Sequence, residues 1–355
     1  MERLKSVQDN LEIYNAGFPN FPRNFSRDSF ISGILMKDTN LLRNQLLLSA
    51  KKQGKTKNSL TGEEKGKIFH ESPGFPINGL STEFNACDTT ALFIIAHYHY
   101  KEITNDLELL NEQKENIINA IDYIKSHLID YVFYENPTLS DSKEFALKVT
   151  YWKDSALAKR ENGTPSYPVA YYLAHTINLC AIRCAAKLLD SNGLEEIANN
   201  MKEKIHQFID LNKKLFYIAI DSKGPIDGIC SDMLHSLFYL EPGDLTSEET
   251  DFIKIFSSEL ETKIGYLTLS PKLKKDVDDN YHSTTVWPFE QAIISIGAKK
   301  FGFDKIHNTS KKIINHLDTD PEIFMVNDNI IKKGGCDPQL WTIAAKKYFS
   351  SSVNS

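Results

Sequence analysis

The sequence predicts an all-α fold, a toroid of paired antiparallel helices, and three observations carry that expectation. Apolar residues recur at three-and-four spacing in nine separate segments, the signature of a helix that buries one face. Strand-like alternation is nearly absent. Counting short pieces, about eleven or twelve helices of roughly 15 to 25 residues emerge, a number that suits paired helices arranged in a ring.

Taken in order, the helical segments are residues 28 to 53, 88 to 103, 107 to 132, 167 to 190, 193 to 213, 231 to 239, 247 to 260, 284 to 302, 305 to 317 and 337 to 349. Several starts carry local signals. Asp88 opens DTTALFII as an N-cap, Ser247 opens SEETDFI as a capping box with Glu249 and Thr250, and Pro168 suits the first turn of the helix that follows it. Gly54, Gly193, Gly302 and Gly335 punctuate ends or connections. Five longer stretches read as irregular: 54 to 87, 133 to 166, 218 to 230, 264 to 283 and 318 to 336. Loops of that length inside a compact domain usually carry function. No Pro/Ser-rich linker divides the chain, so residues 1 to 355 read as a single domain.

Composition narrows the function. At 355 residues with 41% hydrophobic content the chain can bury a large core, and a net charge of -6 without any basic stripe argues against nucleic acid as a partner. The longest apolar runs, such as ALFIIAHYHY, are about ten residues, half the ~20 needed to cross a bilayer. The polar start MERLKSVQDN lacks the apolar stretch of a signal peptide, which predicts a cytoplasmic location. Five scattered cysteines read as free thiols. Cys180 and Cys184, four apart near His175, lack further ligands at metal-binding spacing, so neither a metal nor a cofactor is expected. His97 and His99 sit two apart, on different helix faces, and form no ligand pair.

The three tryptophans each sit beside a carboxylate or amide: YWKDS (Trp152, Asp154), TTVWPFEQ (Trp287, Glu290) and DPQLWTIAA (Gln339, Trp341). Indole offers a flat apolar platform for a pyranose face, and the polar neighbours can bond its hydroxyls, so the pattern predicts a carbohydrate as the partner.

Nine motifs in order, RDSF (27 to 30), GKIFHE (66 to 71), DTTALF (88 to 93), YWKDS (151 to 155), SDMLHSLF (231 to 238), TLS (268 to 270), YHSTTVWPFEQAIISIG (281 to 297), PEIF (321 to 324) and CDPQLWTIAA (336 to 345), resemble the catalytic domain of bacterial amylo-alpha-1,6-glucosidases and glycogen-debranching-like proteins. The resemblance runs from about residue 20 to residue 349. It implies an (α/α)6 barrel and inverting hydrolysis at an alpha-linked glucosyl unit of a small oligosaccharide or glycoside. Inversion needs a carboxylic acid for the leaving oxygen and a carboxylate to activate water, about 6.5 to 9.5 Å apart.

Asp154 matches the family's acid, and the indole of Trp152 gives a reason for a raised pKa. For the base, Glu322 in PEIF is favoured, with Glu290 at the start of its helix as the rival and Asp337 or Glu71 behind. Arg27, Asp28, His70, Glu71, Trp152, Lys153, His282, Trp287, Glu290, Gln339 and Trp341 are the expected sugar-holding residues, and His235 reads as structural. The chain departs from the family where WPHD becomes Trp287, Pro288, Phe289, Glu290. That departure supports the alternative of a carbohydrate-binding or regulatory protein on the same scaffold, without turnover. Sugar epimerisation, which depends on histidine pairs in similar barrels, ranks last. Nothing in the sequence specifies an oligomeric state.

Overall fold

The computed structural model describes residues 1–277, 279–327 and 330–352. Within them are twelve α-helices: α1 (Ser26–Met36), α2 (Thr39–Lys51), α3 (Thr89–Thr104), α4 (Leu107–Glu112), α5 (Lys114–Ser126), α6 (Tyr172–Leu189), α7 (Asn192–Glu203), α8 (Asp232–His235), α9 (Ser247–Phe256), α10 (Pro288–Lys300), α11 (Asp304–Lys311) and α12 (Leu340–Ser352). Helices α1, α3, α6, α8, α10 and α12 pack neighbour to neighbour in a closed ring, with α12 returning to α1. Around them lie α2 on α1 and α3, α5 on α3 and α6, α7 on α6, and α11 on α10. This is the (α/α)6 toroid.

Sequence decides which layer a helix joins. A helix with apolar and small residues on every side belongs inside, and on α1 the charged Arg27 and Asp28 are confined to the first turn. Ten of the eleven residues of α1 are buried, and Tyr172 to Leu179 of α6 form an unbroken buried run. Helices α5, α7 and α11 instead bury one stripe, such as Leu194, Ala198 and Met201 on α7, and turn charged residues outward.

Several expected elements divide or shift. Residues 28 to 53 are two helices, because Lys37 adopts the left-handed conformation that ends α1 and the Asp38 carboxylate accepts the Leu41 amide 3.1 Å away to start α2. The capping box of α9 is Thr246 with Glu249, one residue before the expected cap. Pro168 does not enter the first turn of α6; a strand, Val169–Tyr171, intervenes. Gly193 lies inside the first turn of α7. The near absence of strands is also corrected: the described residues include seventeen, all in antiparallel pairs and most of two to five residues. Residues 218 to 230, expected to be irregular, belong largely to the hairpin Leu215–Asp221 and Gly224–Asp227. Strands this short offer too few alternations for a period of two to register.

Several of the short strands and loops brace the inner-helix N-termini. Asn24 and Phe25 pair with Ser72 and Glu71, and the Ser26 amide donates to the His70 carbonyl at 2.9 Å, which fixes His70 beside the start of α1. Thr285 and Val286 pair with Ile323–Asn327, whose hairpin partner is Ile330–Gly334, so the chain before α10 meets Glu322. The Cys87 amide donates to Thr150, tying the YWKDS segment to the start of α3. No helix among the described residues is long and apolar enough to cross a membrane.

Candidate active site

A cavity of about 60 Å³ opens at the N-terminal ends of the inner helices, lined by Ala16, Phe21, Phe25, Arg27, Asp28, His70, Trp152, Asp154, Tyr281, His282, Trp287, Glu322, Gln339 and Trp341. Arg27 and Asp28 come from the first turn of α1, Trp287 caps α10, and Gln339 with Trp341 brackets the start of α12. Ten of the thirteen candidate residues meet here. Segments up to about three hundred residues apart converge because the ring closes α12 onto α1.

The three tryptophans form one contiguous aromatic wall. Trp287 stands edge-on between Trp152 and Trp341, with ring centroids 5.6 Å from each. Their faces are partly taken: His282 stacks on Trp287 at 4.9 Å and Phe289 on Trp341 at 4.0 Å. The indole N–H groups of Trp152 and Trp341 are buried without a hydrogen-bond partner in the protein. Unpaired buried donors are costly.

Asp154 lies deep in the cavity, its side chain 26% exposed, with Oδ2 3.4 Å from Arg27 Nη1 and 3.9 Å from His70 Nε2. Burial pushes its carboxyl up to about 7, against the pull of Arg27 and with added push from Asp88 and Glu71. His70 is held neutral, because burial and the Arg27 charge both lower its pKa. Asp154 can therefore hold a proton near neutral pH.

Glu322 has a different environment. Its carboxylate accepts the Tyr281 hydroxyl, the Cys336 amide at 2.9 Å and the Gln339 side-chain N–H at 3.1 Å. Burial raises its pKa above the ordinary glutamate value, and the Tyr281 and Cys336 bonds offset only part of that rise. Donors of this kind favour the ionised form. Gly335 brings the backbone close: it has φ +72°, and a Cβ there would lie 2.2 Å from Glu322 Oε2.

Three candidates lie outside the cavity wall. Glu290, wholly buried in the first turn of α10, accepts Ser231 Oγ at 2.5 Å and contacts His235 Nδ1 at 3.3 Å beneath the aromatic wall. Lys153 turns away to Asp232 Oδ1 at 2.8 Å and the Thr268 carbonyl at 2.9 Å. Glu71 pairs with Arg23 and accepts the Thr82 hydroxyl. Lys153 and Glu71 each meet an opposite charge, and Glu290 is engaged by Ser231 and His235, pairings that spacing along the chain could not reveal. The Phe289 and Glu290 departure thus sits behind the site. Sequence reasoning missed Tyr281, Phe21 and Phe25, although Tyr281 opens the motif that contains Trp287.

A sequence profile described as amylo-alpha-1,6-glucosidase matches residues 4–346. The chain belongs to this glycoside hydrolase family. No curated protein shows significant sequence similarity to it. Among solved structures, it is similar to a GH63 mannosylglycerate hydrolase from Thermus thermophilus, in complex with Tris and D-glycerate (TM-score 0.70, 10% identity, 98% of this chain and 97% of that one) and with glucose (TM-score 0.70, 12% identity, 96% and 95%). It is also similar to a GH78 family rhamnosidase of Bacillus sp. GL1, with TM-score 0.62 and 12% identity over 94% of this chain but 32% of that one. At these identities the likeness concerns the fold.

Proposed function

We propose that the protein is an inverting alpha-glucosidase that removes a terminal glucosyl unit from a small oligosaccharide or glycoside, with Asp154 as acid and Glu322 as base. The observation that carries this reading is the pairing, in one cavity, of a carboxyl raised to about 7 with a carboxylate held by three donors. Two carboxyl groups whose surroundings differ in this way can divide the acid and base roles. The Asp154 carboxyl would protonate the departing glycosidic oxygen. Glu322 would take the proton of a water attacking the opposite face of the anomeric carbon, and Tyr281, hydrogen-bonded to Glu322, would orient it. Arg27, Asp28, His70 and Gln339 supply partners for sugar hydroxyls. No step requires a metal.

The small cavity supports end-on binding of a short substrate over threading of a polymer. Because the similar solved structure is of a mannosylglycerate hydrolase, hexosyl glycerates stand beside alpha-linked glucose disaccharides as the compounds to try. The test is a screen of both sets, with the anomer of the released sugar followed by NMR. Inverted product from one of these substrates is expected. Retained configuration would refute the mechanism, and no release from any compound would favour a binding role.

A further inference from the structure

Asp88 occupies the N-cap position of α3 yet makes no side-chain capping bond to that helix. Its carboxylate is committed elsewhere: Oδ2 accepts Arg27 Nε at 2.9 Å and Oδ1 accepts Arg27 Nη2 at 3.0 Å, a two-point grip on one edge of the guanidinium. Both side chains are buried, at 3% and 1% exposure, so neither is free to swing into solvent. What remains for Asp154 is Nη1 alone, at 3.4 Å. That same nitrogen is shared with His70 Nε2 at 3.3 Å.

We propose that Asp88 is a positioning residue for the acid: by holding the Nε–Nη2 edge of Arg27, it limits Arg27 to one long contact with Asp154 and prevents a full ion pair between them. The inference rests on the reading of Asp154 as the acid. An acid must arrive protonated, and an unshared arginine beside it would hold it ionised. Arg27 nonetheless lines the cavity, where its charge can serve the sugar. Asp88 reconciles these demands by neutralising the cation from behind. The other groups facing Asp154 do not replace it. His70 is neutral, Tyr281 keeps its proton, Glu71 is occupied by Arg23, and burial pushes the Asp28 carboxyl toward its neutral form.

The test compares Asp88→Asn, Asp88→Glu and wild type by two readouts. The first is the ¹³C titration of the Asp154 carboxyl in aspartate-labelled protein, assigned by its loss in Asp154→Asn. The second is the pH profile of kcat/KM on isomaltose and on 4-nitrophenyl alpha-D-glucopyranoside. In Asp88→Asn the Asp154 titration and the alkaline limb should both move about 1 to 3 pH units toward acid, the range expected when a carboxyl gains an adjacent arginine. Asp88→Glu, which keeps the charge, should leave the limb within about half a unit. If Asp88→Asn does not fold, the double variant Arg27→Gln with Asp88→Asn removes both charges, and the Asp154 titration should then move to alkaline pH. A merely structural ion pair would lower Tm without moving either readout, and that result overturns the proposal. The titration needs no turnover, so the two readings fail separately: an Asp154 titration that moves without any hydrolysis defeats the glucosidase reading, whereas an alkaline limb abolished by Asp154→Asn but unmoved by Asp88→Asn defeats only the role of Asp88.

Discussion

Asp154→Asn should stabilise the protein at alkaline pH while removing its acid. Folding raises the Asp154 carboxyl from 3.8 to about 7, so the native state binds the proton more tightly than the unfolded chain does. A carboxyl shifted in this direction costs nothing below pH 3.8, where both states are protonated. Between pH 3.8 and about 7 the unfolded chain releases its proton and the native state does not, so stability falls as pH rises, and the full cost is present above about 7. At 1.36 kcal/mol per unit the shift amounts to about 4 kcal/mol as an upper bound. Asparagine mimics the protonated group and escapes this cost. Equilibrium urea unfolding of both proteins at pH 4.5 and pH 8.5 is the assay, with the variant ahead by no more than about 1 kcal/mol at the lower pH and by about 2 to 4 kcal/mol at the higher. An equal difference at the two pH values, or a variant weaker at pH 8.5, would refute the account of Asp154 as a carboxyl destabilised when ionised.

Kinetically, Asp154→Asn should slow isomaltose hydrolysis by about 10²- to 10⁴-fold yet spare 4-nitrophenyl glucoside, whose leaving group needs little protonation, whereas Glu322→Gln should slow both alike. Equal losses in Asp154→Asn would contradict its acid role. Glu290→Gln should lower stability by about 1 to 3 kcal/mol through the Ser231 and His235 contacts and leave kcat within tenfold; near-complete loss of kcat in a folded variant would make Glu290 the base. Gly335→Ala places a methyl group against the Glu322 carboxylate and strains a backbone at φ +72°, so kcat should fall at least about tenfold with Tm lowered. Wild-type kinetics in that variant would show that the Glu322 position is not critical.

The layered helices were readable because helical periodicity persists over many residues, and burial on all sides of α1 and α6 leaves its own mark in composition. The breaks were harder to see. Nothing in NLLRNQLLL announces that Asp38, one residue past a left-handed Lys37, starts a second helix, because the decision lies in two backbone angles and one carboxylate-to-amide bond. The short strands were hidden for a related reason: pairs such as Asn24–Phe25 with Glu71–Ser72 are fixed by partners about 47 residues away, and two residues hold no period.

The site was readable in kind more than in wiring. Acidic and aromatic residues near helix starts could be picked out, and ring closure placed most of them in one cavity. What the sequence could not disclose was which carboxylates are already occupied. Glu71, Glu290 and Glu322 are all buried glutamates, but Glu71 meets Arg23, Glu290 meets Ser231 and His235, and only Glu322 faces the cavity. The location at helix N-termini also has a cause. The inner helices converge with their amide ends toward the cavity, and those ends carry partial positive charge, which favours the buried carboxylates of Asp28 and Asp88 and offsets part of their desolvation. The opposite ends of the same helices present carbonyl groups, which would oppose carboxylates sunk among apolar rings. The toroid therefore gives the two mouths of its ring different chemistry, and the carboxylate-rich motifs lie at the mouth whose field can bear them.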